Sequence, residues 1–230
     1  IIVLVKTANS GCNMLEKLND KKAYLFDFDG TLVDSMPTWS VKVLRLLEMQ
    51  GIAVPEGLLQ IITPLGDMGT IDYYFENFPV TMSKEEMKKE MDKFALPKYA
   101  NEIPVKEYVK EYLQKLKSEG KGIYLLTASP KIMFKPCLER LGLLSLFDEA
   151  WSCEDFSTVK SDPEIYSLAA KKIGLNVEEI AFFDDNIVAL KTAKSSDMFT
   201  IGVYDETSKK DTAEIKKVSD IYINSFKEIL

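Results

Sequence analysis

An α/β fold is expected of this 230-residue chain, with a mainly parallel sheet covered on both faces and a helical insertion near one edge. Strand-length apolar runs alternate with amphipathic helical patterns, which favours parallel pairing through crossovers. The strongest runs end in acids or turn residues, as a buried parallel sheet does where its carboxyl edge carries a site. The first crossover, from Phe28 to Gly122, far exceeds the ~30 residues of a simple βαβ unit, so a further unit must lie inside it.

The elements follow in order. Ile1-Ile2-Val3-Leu4-Val5 is too short for the apolar core of a secretion signal and has no basic stretch before it. Met14-Leu15-Glu16-Lys17 reads as an ordinary start, and secretion is not expected. Ala23-Tyr24-Leu25-Phe26 forms the first strand and runs into Asp27-Phe28-Asp29-Gly30. Pro37 opens a helix carrying Trp39, Val43, Leu46 and Leu47. Ser83 caps another, with Met87, Met91 and Phe94 at i, i+4 and i+7. No comparable strand lies between, so 34–103 reads as a small helical unit over the sheet's carboxyl edge, with hinges near Asp34 and Ile103. Val105, Tyr108, Val109, Tyr112, Leu113 and Leu116 predict a helix starting at Pro104 and closed by Gly120. The strand Gly122–Thr127 follows. A helix after Pro163 carries Ile165, Leu168, Ala169 and Ile173 and stops at Gly174. Strands at Ile180–Asp184 and 198–203 come next, and the tail from Thr207 adds a helix, a short Ile221-Tyr222-Ile223 strand and a last turn.

Composition narrows the function. The net charge of −7 has the wrong sign for a general grip on nucleic acid or anionic lipid. No apolar run approaches the ~20 residues that cross a bilayer, so neither nucleic acid nor membrane is an expected partner. The three cysteines, Cys12, Cys137 and Cys153, form no CxxC pair, which fits a reducing, cytoplasmic setting. With no histidine in the chain, Ser-His-Asp, Cys-His and His-metal chemistry are excluded. Carboxylates, lysines, hydroxyls or a metal must carry any catalysis.

Four segments at strand ends offer what phosphoryl transfer needs. Asp27 and Asp29 stand at i and i+2, on one side of an extended chain, where one can be ionised as nucleophile and the other can carry a proton. Gly30 supplies a turn, and the Thr31 hydroxyl is placed to hold Asp29. Thr127, Ala128 and Ser129 bring hydroxyls and backbone amides able to hold phosphoryl oxygens. Lys160 offers a neutralising cation. Asp184 and Asp185 complete an oxygen-rich site suited to Mg²⁺. Singly, each has an ordinary reading: a solvated turn, a helix cap, a surface lysine. Their occurrence together, in order, at neighbouring strand ends is what carries weight.

The segments DFDGTLVDS at 27–35, LLTAS at 125–129, KSDPEIY at 160–166 and FFDDN at 182–186 closely resemble the four motifs of the haloacid dehalogenase-like hydrolases. The resemblance spans about 20–224, and the helical insertion is similar to the C1 cap of phosphoglycolate phosphatase-like and beta-phosphoglucomutase-like members. It implies a Rossmann-like core over 1–33 and 104–230 with a cap over 34–103. It further implies a Mg²⁺-dependent phosphatase acting on a small phosphorylated metabolite, a sugar phosphate or phosphoglycolate-like ester, through an aspartyl-phosphate. Asp27 would be the nucleophile, Asp29 the acid and base, Thr127 a phosphoryl contact and Lys160 the balancing charge. The metal would be held by Asp27, the Asp29 carbonyl, Asp185 and, directly or through water, Asp184.

Departures from the family pattern bear on the rival readings. Ser161 follows Lys160 where many relatives carry proline, and the cation is kept. Trp39 stands near the position where beta-phosphoglucomutases usually carry histidine, which weakens the phosphotransferase alternative. Asp29 argues against dehalogenation, because a halide leaving group needs no proton. A non-catalytic phospholigand-binding protein is the alternative from another class. In the cap, Asp72-Tyr73-Tyr74-Phe75 and Phe78 read as internal packing rather than a specificity pocket. The segment 64–69 reads equally as a substrate-contacting loop and as a connector, and the 84–93 charge run as a solvated face. Monomer and homodimer fit the sequence equally.

Overall fold

The computed structural model describes residues 14–230; residues 1–13, with Cys12, lie outside the described residues. Strand β1 (Ala23–Phe26) is buried along its whole length and occupies the middle of a six-stranded parallel sheet. With β2 (Gly122–Thr127), β3 (Glu149–Ser152), β4 (Ile180–Asp184), β5 (Phe199–Val203) and β6 (Ile221–Ile223), the order is β3-β2-β1-β4-β5-β6. The chain builds outward from β1 to β3, then returns to the other side of β1 for β4. That reversal is where open α/β sheets form their ligand crevice. Phe26 registers with Leu125 and with Phe183, so three strands finish at nearly the same level.

Side chains alternate across β1 as strand geometry requires. Tyr24 and Phe26 enter one core, where the Phe26 and Phe183 rings stack at 4.6 Å and Tyr112 and Phe226 close the cluster. Ala23 and Leu25 enter the other, with Ile165, Ala169 and Phe182.

Among the described residues, four helices lie between β1 and residue 103: α1 (Met36–Glu48), α2 (Leu58–Ile62), α3 (Gly66–Asn77) and α4 (Lys84–Asn101). They share a cluster of their own that includes Trp39, Val43, Leu46, Ile71, Tyr74, Met87 and Met91. Tyr74 is fully buried and donates to the Val43 carbonyl at 3.1 Å, while Tyr73 and Phe78 are partly buried and pack against the same cluster. Phe75 is exposed beneath Lys84. The segment 64–69 is neither loop nor plain connector: a 3₁₀ turn (Thr63–Leu65) leads directly into α3. Ser83 and Glu86 form the capping box that starts α4.

Helix α4 serves two cores. Met87 and Met91 belong to the insertion's cluster, whereas Ala95 and Tyr99 belong to the main one. Pro97 stands between the last two of these, inside the helix.

The strand β3 was not anticipated, because Glu149-Ala150-Trp151-Ser152 has no apolar run and lies at the sheet's edge. The helix expected from Pro104 begins later, as α5 (Val109–Ser118). The preceding residues are held extended: Val105 bridges Val33 antiparallel, Asp34 N–H donates to the Pro104 carbonyl at 3.0 Å, and Lys106 N–H donates to Leu32 at 2.9 Å. The two ends of the insertion are thus hydrogen-bonded to each other. Further helices are α6 (Lys131–Arg140), α7 (Glu164–Ile173), α8 (Ile187–Ser195) and α9 (Thr212–Val218). Among the described residues, no helix is long and apolar enough to cross a membrane.

Phe26 holds the central aromatic packing, so Phe26→Ala is expected to lower stability by about 3–5 kcal/mol. A urea unfolding midpoint within error of wild type would contradict this account of the core.

Candidate active site

The sheet delivers the expected residues to one place. Asp27 directly follows β1, and its N–H extends the ladder to the Phe183 carbonyl at 2.9 Å. Asp184 ends β4, Asp185 follows it, and Thr127 ends β2; all four side chains are buried. Asp27, Asp184 and Asp185 each present an oxygen, and these oxygens lie within 4.8 Å of one another. Lys160, on the loop ahead of α7, joins them: its Nζ donates to Asp27 Oδ1 and, at 2.8 Å, to Asp184 Oδ2. Tyr166 secures that loop by donating to the Lys160 carbonyl at 3.0 Å.

Local geometry explains the turn that follows β1. Gly30 has φ +79°, and a Cβ there would lie 2.6 Å from Asp185 Oδ2, so only glycine fits. Thr31 does not hold Asp29 as expected. Its hydroxyl donates instead to Asp185 Oδ1 at 3.1 Å, because the glycine turn brings it over β4 rather than back along its own strand. Asp29 is held from elsewhere, by Ser35 Oγ (2.6 Å) and Tyr99 OH (2.5 Å) on Oδ1 and by Ser129 Oγ (2.5 Å) on Oδ2. Its carboxylate stands outside the three-acid cluster. Thr127 Oγ1 accepts from the Ser129 N–H at 3.0 Å, which shapes the 127–129 turn, and Ala128 is exposed at its tip.

Four participants escaped the sequence reading. Ser35 sits inside the first motif without an obvious role, and Tyr99 lies seventy residues from its partner Asp29, with no local signal. Lys106 donates to the carbonyls of Gly30 and Tyr204 and pairs with Asp205 at 2.9 Å. Asp205 was findable, since it is a buried acid just past β5, the same pattern that marks Asp27 and Asp184.

Charge crowding sets the electrostatics. Burial pushes the Asp27 carboxyl up to about 7; Asp184 and Asp29 add to the rise and Lys160 opposes it. Burial, then the charges of Asp184, Asp27 and Asp205, hold Asp185 well above the ordinary carboxylate range, against Lys106. Burial disfavours the Lys160 ammonium, but Asp184 and Asp27 outweigh it and its pKa stands well above normal. Every donor in the cluster is a carboxylate oxygen, with no nitrogen or sulfur, the donor set of a hard divalent cation such as Mg²⁺. A cation there would relieve the repulsion that now favours protonation.

A cavity of about 260 Å³ adjoins Asp185 and Asn186, with Ser40, Leu59 and Thr63 of the insertion on one side and Thr207, Ser208 and Lys210 on the other. A larger concavity of about 730 Å³ on α3 and α4 contains none of the site residues.

The model of the family "haloacid dehalogenase-like hydrolase" matches residues 21–197. A phosphorylated carbohydrates phosphatase of Thermotoga maritima is 26% identical over 175 residues, covering 76% of this chain and 81% of that protein. A phosphoglycolate phosphatase of Colwellia psychrerythraea is 26% identical over 206 residues, covering 81% and 86%. The beta-phosphoglucomutase structure of Clostridium difficile shares the fold with a TM-score of 0.76 at 21% identity, covering 91% of this chain and 93% of that one.

The raised Asp27 value fixes the sign of a pH effect. The folded protein keeps a proton at Asp27 up to about pH 7, whereas the unfolded chain loses it near its ordinary value of 3.8. In metal-free protein this contribution to stability is therefore present at low pH and lost as pH rises from about 4 to about 7. Added Mg²⁺ is expected to raise Tm more at pH 8 than at pH 5.5; equal shifts at both, read by thermal denaturation, would contradict the crowding.

Proposed function

The chain belongs to the haloacid dehalogenase-like hydrolases, and from that premise we propose that it hydrolyses a small phosphomonoester, a sugar phosphate or phosphoglycolate-like metabolite, through an aspartyl-phosphate. The observation that carries this reading is the buried group of Asp27, Asp184 and Asp185 bridged by Lys160, beside the hydroxyl-bearing turn at Thr127 and Ser129. The curated relatives named above are phosphatases of phosphorylated carbohydrates and of phosphoglycolate, which supports the same class of substrate.

In this reading Asp27 attacks phosphorus as the ester P–O bond breaks, and Asp29 gives its proton to the departing alcohol. Asp29 then takes a proton from water as the water oxygen bonds phosphorus and the bond to Asp27 breaks. The net change is ester plus water to alcohol plus phosphate. Lys160 keeps the Asp27 carboxylate oriented and offsets charge on the transferring group. The Thr127 and Ser129 hydroxyls, with the backbone amide at Ala128, hold phosphoryl oxygens. Mg²⁺ held by Asp27, Asp184, Asp185 and the Asp29 carbonyl would neutralise the remaining negative charge.

We assign the cap role to 34–103 and the core to 1–33 and 104–230. The cavity bounded by Ser40, Leu59 and Thr63 supports a role for the insertion in enclosing the leaving group. Transfer to a second sugar hydroxyl is disfavoured, because Trp39 spends its indole N–H on Asp67 at 3.1 Å and has no proton to exchange. The free, buried thiols Cys137 and Cys153 support a cytoplasmic setting.

With p-nitrophenyl phosphate, phosphate release should require Mg²⁺ and disappear with a chelator. Asp27→Asn should reduce it on the order of 10³-fold or more while the protein stays folded. Asp29→Asn should release about one nitrophenolate per enzyme and then stop, because that leaving group barely needs an acid. Retention of most activity by Asp27→Asn would refute the nucleophile assignment, and Mg²⁺-dependent stabilisation without turnover would favour a binding protein.

A further inference from the structure

The two oxygens of Asp29 are not equivalent. Among the described residues, Oδ1 accepts from two hydroxyls, Ser35 at 2.6 Å and Tyr99 at 2.5 Å, while Oδ2 accepts only from Ser129 at 2.5 Å. Each hydroxyl has one proton to donate, so both donors to Oδ1 are committed and leave little room there for a proton of its own.

Those two donors are also firmly seated. Ser35 is the N-cap residue of α1, yet its side chain makes no cap hydrogen bond and is spent on Asp29 instead. Tyr99 is 1% exposed, its ring lies 6.1 Å from that of Phe28, and Arg140 Nη2 donates to the Tyr99 and Ile103 carbonyls at 3.3 and 2.5 Å. Ser129 differs: it is half-buried, on the turn whose hydroxyls hold the phosphoryl group in the reading above. When Ser129 turns to that group, Oδ2 is released and Oδ1 is not.

We propose that Tyr99 and Ser35 are positioning residues that anchor Oδ1 of Asp29, so that Oδ2 is the oxygen that exchanges protons with substrate. This rests on the phosphatase reading and adds to it the identity of the reactive atom. The Oδ2 proton passes to the alcohol oxygen as the ester bond breaks, and Oδ2 regains a proton from water as the bond from phosphorus to Asp27 breaks. The hydrogen bonds to Oδ1 persist through both steps and keep the carboxyl from rotating away.

The test is Tyr99→Phe, which keeps the ring against Phe28 and removes one hydroxyl. Phosphate release from the alkyl ester 2-glycerophosphate should show kcat lower by about tenfold with KM within about twofold, a fraction of what general acid–base catalysis supplies. Ser35→Ala should shift kcat in the same direction. In an Asp29→Asn background, the effect of Tyr99→Phe on the residual phosphate release from 2-glycerophosphate should shrink to less than about twofold, because the group it positions is already gone. Wild-type kcat in both single variants, or an undiminished effect in that background, would overturn the assignment. A wild-type protein that releases no phosphate from any ester would remove the phosphatase reading and this inference together, and that result appears before any variant is made.

Discussion

Three buried carboxylates, joined by a part-buried ammonium at the end of β1, are the constraint around which this molecule is organised. Desolvating such charges costs several kcal/mol each unless geometry compensates. Compensation comes from the sheet: Asp27 and Asp184 leave adjacent parallel strands at matching height, and Lys160 is held between them. Gly30 then brings the chain back so close to Asp185 that a Cβ there would collide with it, and Thr31 bonds the same carboxylate. A sheet with a different order would separate these acids, so the topology and the chemistry are one specification.

The sequence carried much of this in readable form. The central strands are continuous apolar runs because both faces are buried, and their ends are marked by acids that would be unfavourable anywhere else in such a sheet. The length of the first crossover exposed the insertion, and the rings of Tyr73, Tyr74 and Phe78 were recognisable as its packing. What remained hidden depends on contacts distant in sequence. Edge strand β3 owes its existence to pairing with β2 rather than to its own residues. The late start of α5 follows from the bridge between Val33 and Val105, which overrides a good helical pattern. Tyr99 could not be found by any local rule, and the partner of Thr31 depends on how a glycine turn folds over a neighbouring strand.

Helix α4 shows how the two clusters communicate. Its first half packs with α1 and α3, and its second half packs along α6 in the main core. Proline at position 97 removes one backbone hydrogen bond of the helix. Tyr99, just beyond it, stays with the sheet, anchored through Arg140. The contact to Asp29 therefore comes from a helix that begins in the insertion but ends as part of the floor beneath it.

The bridge between Val33 and Val105, with Asp34 bonded to Pro104, brings the insertion's two ends side by side. From the standpoint of the sheet, the intervening stretch is a closed loop, and the entropy of closing a loop grows only slowly with its length. Residues in the middle of that stretch, away from Ser35 and from the second half of α4, can be gained, lost or exchanged with little penalty to the strands below. The strands at the base are thereby insulated from changes in the roof, provided that Ser35 and Tyr99, the two residues of that stretch that hold Asp29, are kept.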